Sequence, residues 1–187
     1  MNARPLPPRP GPHAFASRLA EILRVDHAGE LGAVHIYRGQ RAVFEAARGG
    51  ERIGAQLAEL EGHESRHLAR FEAMLTSANV RPTVLAPLWR AAGFVLGAAT
   101  ALVGEKSAHA CTEAVETVIE AHYGAQVEEL GDREPELAAE LESFRQEELA
   151  HRDLAVAEGA RAAPAYRLMA GAIRLGCRAA IKLSEKL

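Results

Sequence analysis

Two tetrads of the form Glu-x-x-His stand out among the residues able to do chemistry, Glu64-Ser65-Arg66-His67 and Glu148-Leu149-Ala150-His151. Each interrupts an apolar stripe. Ile53, Leu57, Leu60, Glu64, His67, Phe71 and Met74 follow at alternating steps of four and three, and so do Leu137, Leu141, Phe144, Glu148, His151 and Ala155. On an α-helix such positions share one face, which a bundle buries. A carboxylate and an imidazole aimed into a core need a partner there, because an unpaired buried charge is very costly.

Two more acids fall on inward stripes. Glu30 lies two turns beyond Leu23 on a face that also holds Leu19, Ile22, Asp26, Ala33, Val34, Tyr37 and Phe44. Glu116 shares a stripe with Thr112, Ile119, Tyr123, Val127 and Leu130, whereas Glu113, Glu120 and Glu128 fall nearer its flanks. The order is therefore Glu, Glu-x-x-His, Glu, Glu-x-x-His, with 34 residues from Glu30 to Glu64 and 32 from Glu116 to Glu148. This is the pattern of one helix pair used twice. Four carboxylates and two imidazoles form the donor set of a carboxylate-bridged two-iron or two-manganese centre inside a helix bundle. The carboxylates offset two divalent ions, and without metal they would repel one another.

A competing pattern is His63-Glu64-Ser65-Arg66-His67, which matches the His-Glu-x-x-His of zinc proteases. That reading leaves Glu30, Glu116 and the second tetrad unused, and Glu147 stands where a matching second His63 would be. His63 and Glu147 thus read as bystanders beside the ligands. Asp26, one turn before Glu30, is placed to orient a ligand histidine through its second ring nitrogen, or else is a plain surface or capping acid.

Helices must position these groups. The spacing predicts helices over about 17–48, 51–78, 106–130 and 134–158, with Gly49-Gly50 and Gly131-Asp132 as turns, and a last helix from Ala163-Pro164 to Leu187. Residues 1–14 read as a flexible Pro-rich arm and 15–187 as one domain. The arm has neither the apolar stretch of a secretory signal nor, with its prolines, the character of a transit helix. Between the second and fourth segments lies Val84 to Val103, with an uncharged run from Ala91 to Gly104, short of the roughly 20 apolar residues that span a bilayer. A short interfacial helix with Trp89 at headgroup depth fits this run, and a buried core helix is the alternative. Arg167, Arg174, Arg178, Lys182 and Lys186 form a basic flank on the last helix, beside Met169, Ile173, Cys177, Ala180 and Ile181, suited to a membrane surface or to solvent. The expected fold is all-α, a ferritin-like four-helix bundle with two additional membrane-associated helices.

Composition agrees. Hydrophobic residues make up 48% of the chain and aromatic ones 5%, as suits closely packed helices. Residues 112–160 hold 3 Arg against 14 Asp and Glu, whereas 161–187 hold 6 basic residues against 1 acid. An acidic middle can house cations and a basic tail can meet anionic lipid. Cys111 and Cys177 make no disulfide framework, and a reducing compartment is the simpler setting.

At these residues the chain resembles the demethoxyubiquinone hydroxylases of ubiquinone biosynthesis, a ferritin-like di-iron family. The similarity includes Arg24-Val25-Asp26-His27-Ala28-Gly29-Glu30, Arg81-Pro82-Thr83, Pro87-Leu88-Trp89, Ala110-Cys111-Thr112, His122-Tyr123, Glu147 to His151 and Ile181 to Glu185. The resemblance implies two iron ions per chain, held by Glu30, Glu64, His67, Glu116, Glu148 and His151. It implies a monooxygenase that inserts one atom of O2 into the ring of a polyprenyl-methoxy-methyl-benzoquinol, with His122 and Tyr123 as candidates for proton or electron transfer near that ring. An external reductant, NADH or a redox partner, would then be needed. A homo-oligomer or a ubiquinone-biosynthesis complex is expected, nucleic acid is not, and the expected location is peripheral, on the cytoplasmic face of a bacterial inner membrane. The alternative reading is a ferritin- or rubrerythrin-like di-iron oxidase or iron-binding protein.

Overall fold

A computed structural model describes residues 12–187, which contain six α-helices and two 3₁₀ turns. The helices are α1 (Pro12–Ala46), α2 (Glu51–Ser77), α3 (Ala86–Val103), α4 (Glu105–Leu130), α5 (Pro135–Ala157) and α6 (Tyr166–Lys186). The expected Pro-rich arm falls mainly on residues 1–11, outside the described residues. Helix α1 is already present at Pro12, the first described residue, five residues before the expected cap at Ser17. The remaining boundaries lie within about three residues of the sequence reading, as helix ends commonly do.

Helices α1, α2, α4 and α5 form the ferritin-like bundle. Short links return α2 along α1 and α5 along α4. The third helix of each half then packs on the first, α3 on α1 and α6 on α4, so the repeated unit is a helix triplet and not only a pair. This explains why α1 is buried on more than one side, with Val25, Ala28 and Ile36 enclosed as well as Leu23 and Glu30.

Glycine sets the α1–α3 contact. A Cβ at Gly97 would collide with the Ile36 carbonyl, and one at Gly39 with the Phe94 carbonyl, so only glycine lets these backbones approach. The rest of α3 is open: Gly93, Gly97, Thr100 and Ala101 are buried, while Leu88, Val95, Leu102 and Val103 are exposed. The core-helix alternative therefore fails, because only a narrow stripe of small residues meets the bundle. By length and composition α3 could cross a membrane, 18 residues being a minimal span.

Two expectations about side chains change. Trp89 turns its indole N–H inward to donate to Ser184 Oγ at 2.9 Å, so its polar end is engaged by α6. Arg174 is part of no solvated flank: it donates to both oxygens of buried Glu113, at 2.9 and 2.8 Å.

Two apolar clusters bracket the bundle centre. Ile22, Phe71, Leu130 and Leu141 pack towards one end, and Ile53, Leu57 and Leu60 towards the other. The clusters contain Tyr123 and Tyr37 respectively. Burial of each large side chain contributes about 1.5–3 kcal/mol, which holds the polar groups between them in place.

Candidate metal centre

The four bundle helices each deliver what their stripes promised. Glu30 comes from α1, Glu64 and His67 from α2, Glu116 from α4, and Glu148 and His151 from α5; all six are buried. Their donor atoms fall into two groups. In Glu30, Glu64, His67 and Glu148 they lie within 4.8 Å of one another, and so do those of Glu64, Glu116, Glu148 and His151. Glu64 and Glu148 belong to both groups. The arrangement is two adjoining groups of donors, each able to hold a cation, with two shared carboxylates.

Hydrogen bonding does not satisfy this centre. Glu30 Oε2, both oxygens of Glu64, Glu116 Oε2, Glu148 Oε1 and His67 Nδ1 are buried and have no hydrogen-bond partner among the described residues. Such groups are normally paired, and leaving them bare is costly. His67 Nδ1 faces Glu148 Oε1 at 3.2 Å and Glu30 Oε2 at 3.6 Å, and His151 Nδ1 faces Glu64 Oε1 at 3.0 Å and Glu148 Oε2 at 3.2 Å. Both imidazoles therefore aim Nδ1 at the carboxylates.

Titration follows from crowding. Burial, then the neighbouring carboxylates, push Glu64 and Glu116 well above the usual carboxylate range, and burial raises Glu30 as well. Burial would also raise Glu148, but His151 and His67 outweigh it and hold this group low. For His67 burial pulls down, and Glu148 and Glu30 overcome it, pushing the imidazole up to about 10. The protein alone offsets its buried negative charge only by protons and imidazolium, which is the work a divalent cation would do.

Two tyrosines hold the outer acids. Tyr37 Oη donates to Glu116 Oε1 at 2.8 Å, and Tyr123 Oη donates to Glu30 Oε1. Each tyrosine stands seven residues beyond the acid on its own helix and grips the acid of the opposite helix. Phe144 stacks on His67, with ring centroids 4.1 Å apart, and closes that side to water.

The two residues read as bystanders are not bystanders. His63 Nδ1 lies 3.0 Å from Nε2 of His151, and Glu147 Oε2 lies 3.3 Å from Nε2 of His67. Each residue that precedes one tetrad contacts the histidine of the other. The zinc-protease pattern dissolves for the same reason, since His63 meets α5 and does not join His67 around an ion.

Other expectations divide. Tyr123 reaches the centre through Glu30. His122 is one step outside it, 3.5 Å from Asp26 Oδ1 and 3.0 Å from Gln126 Nε2. Asp26 orients no ligand histidine; it accepts from Gln126 Nε2 at 2.8 Å and faces His122. Sequence reasoning missed the parts played by Tyr37 and Gln126. The repeated Glu-x6-Tyr spacing was the available signal for Tyr37; Gln126, a polar residue in a long helix, carried none.

An apolar cavity of about 450 Å³ lies between α1, α3, α4 and α6. Ala28, Ile36, Leu96, Ile119, Ile173 and Ile181 are among its walls. Gly29 and Val115 also line it, and they adjoin Glu30 and Glu116 in the chain. On two of the helices that wall it, Leu102 of α3 and Leu168 of α6 are 76% and 77% accessible. Patches of this kind mark contact with lipid or another protein.

Over residues 17–184 the chain matches the model of a family described as ubiquinone biosynthesis protein COQ7. It is 48% identical over 182 residues to the 3-demethoxyubiquinol 3-hydroxylase of Rhodospirillum rubrum, covering 97% of this chain and 83% of that protein. With the mitochondrial NADPH-dependent 3-demethoxyubiquinone 3-hydroxylase of Homo sapiens it shares 46% identity over 170 residues, 89% of this chain and 76% of the relative. The mitochondrial 5-demethoxyubiquinone hydroxylase of Saccharomyces cerevisiae is 36% identical over 189 residues, with 93% and 80% covered.

Proposed function

This chain belongs to the family of the ubiquinone biosynthesis protein COQ7, and from that premise we propose that it hydroxylates the ring of a polyprenylated demethoxyubiquinol with O2, at a centre of two iron ions. The observation that carries the reading is the buried set of six donors whose central oxygens have no hydrogen-bond partner among the described residues. Glu30 and His67 would hold one ion, Glu116 and His151 the other, with Glu64 and Glu148 shared. Iron bound there supplies reversible one-electron chemistry for O2, which zinc does not.

The chain's own residues do the rest. Overall, a ring C–H, O2, two electrons and two protons become a ring C–OH and water. Tyr37 and Tyr123 fix the free rotation of Glu116 and Glu30, so each of these carboxylates would present its other oxygen to an ion from a constant direction. Phe144 and the flanking apolar clusters exclude bulk water. Tyr123 Oη is a proton donor at Glu30, and His122, poised on Asp26, is the next proton-handling group outward. The apolar cavity suits a prenyl tail, since its walls are almost wholly hydrocarbon and two of its helices, α3 and α6, also carry exposed leucines.

A peripheral position on the membrane is the matching location, the cytoplasmic face of the inner membrane in a bacterium. The open apolar sides of α3 and α6, with exposed Arg167, Arg178 and Lys182, support it. The reductant is an external one of the nicotinamide class or a redox partner; names of the mammalian relatives include NADPH. The test is anaerobic iron loading of protein on vesicles containing the demethoxyquinol, followed by O2 and reductant. About two irons per chain and a product one oxygen atom heavier are expected. One zinc per chain with peptidase activity, or iron uptake with no quinol oxidation, would overturn the proposal.

A further inference from the structure

A second group of donors lies away from the centre, at the open end of the α4–α5 hairpin. Glu105 is the first residue of α4, His109 stands one turn later on the same face, and Glu158 caps the end of α5. One donor atom from each falls within 4.8 Å of the others. None of the three belongs to the buried six.

A bare ion pair explains only part of this. Arg52 of α2 reaches Glu105, lies 3.4 Å from Glu158 Oε2, and so offsets both carboxylates. Gln56 Nε2 also donates to Glu158 Oε1, at 3.3 Å. His109 is left over. It is 1% exposed, its Nε2 is buried without a hydrogen-bond partner among the described residues, and that atom sits 3.9 Å from Glu105 Oε1. A buried polar atom grouped with two carboxylates, and unpaired among the described residues, calls for a ligand.

We propose that Glu105, His109 and Glu158 form a second cation site, taking one divalent transition ion of the zinc class, separate from the di-iron centre and independent of the hydroxylase reading. One imidazole and two carboxylates favour such an ion over calcium or magnesium, which take oxygen ligands. Bonds of about 2.1 Å in a tetrahedral site put donors about 3.4 Å apart, so the group needs only a small contraction from its present spacing. Burial keeps His109 below the ordinary histidine range, hence neutral, with a lone pair free to bind. Arg52 is the competitor: mostly exposed, it can swing to solvent as the ion enters.

The position gives the ion a purpose. Gly104 and Gly159, both at positive φ, flank Glu105 and Glu158, so the backbone turns sharply at each side of the site. An ion there would tie the start of α4 to the end of α5, the end of the hairpin that the 131–134 turn does not close.

Iron-loaded protein is dialysed against buffered Zn²⁺, and zinc and iron are counted together for wild type, His109→Leu, Glu158→Gln and Arg52→Gln. Wild type should take up one zinc per chain with its iron retained. His109→Leu and Glu158→Gln should each weaken zinc binding at least tenfold without loss of iron, and Arg52→Gln should strengthen it severalfold. Glu158 is partly exposed, so its variant keeps the test valid if His109→Leu does not fold. Zinc uptake only at the expense of iron, equal affinity in all four proteins, or no response to loss of Arg52 would overturn the proposal.

Discussion

Tyr37 of α1 donates its phenol hydrogen to Glu116 of α4 at 2.8 Å, from one helix pair to the other. The reciprocal bond runs from Tyr123 of α4 to Glu30 of α1. Removing either hydroxyl frees one oxygen of an outer carboxylate while leaving the ring to pack. Loss of such a supporting bond typically costs about 10- to 100-fold in metal affinity or turnover. Tyr37→Phe and Tyr123→Phe should each show a loss of that size with helicity unchanged; iron counts and single-turnover rates measure it, and wild-type values in both would remove the tyrosines from the site.

His63 and Glu147 should behave alike, because each meets the outer nitrogen of one buried histidine. His63→Leu and Glu147→Gln are expected to weaken iron binding about 10-fold or more, whereas Glu59→Gln, exposed on the same helix as His63, should do nothing. Equal iron affinity in all three variants would restore both residues to bystanders.

Metal-free protein should lose stability as pH rises. Glu64 and Glu116 keep their protons in the folded state at pH values where the unfolded chain, with an ordinary pKa of 4.5, has released them. The folded state then binds more protons, and stability falls with rising pH. His67 acts in the same direction: its contribution is complete below 6.5 and lost as pH climbs to about 10. Glu148, held low, matters only at the acid end, where its contribution is lost as pH falls below 4.5. Thermal unfolding from about pH 5 to about pH 9 should show Tm declining without metal and a flatter profile with iron bound. A metal-free Tm that rises over this range would contradict the assigned directions.

The open sides of α3 and α6 should govern membrane binding. Leu102→Lys with Leu168→Lys changes two exposed residues and touches no core position, so folding should persist. The doubly substituted protein should move from membrane to soluble fractions and lose binding to anionic vesicles. Unchanged partitioning would assign the patch to another role.

The bundle helices and all six inward donors were legible because a period of 3.6 residues places them on stripes with large apolar neighbours, and the polar interruptions recur in a repeated order. What lay between the helices was not legible. The engagement of His151 by His63 and of His67 by Glu147 depends on how α2 and α5 face each other, which no spacing within one helix states. Asp26 shows the same limit from the other side, since its partners Gln126 and His122 lie on α4. The α3 segment was ambiguous by hydropathy alone, and the glycine contact with α1 decided that only one narrow stripe is covered.

The most direct measurement of the central claim is the quinone profile of cells that lack this chain, complemented with wild type or with Glu148→Ala. Deletion should cause the demethoxy intermediate to accumulate and ubiquinone to fall. Wild type should reverse both changes, and Glu148→Ala, though folded, should reverse neither. A normal quinone profile in the deletion, or full rescue by Glu148→Ala, would contradict a hydroxylase that works through this buried set of carboxylates and histidines.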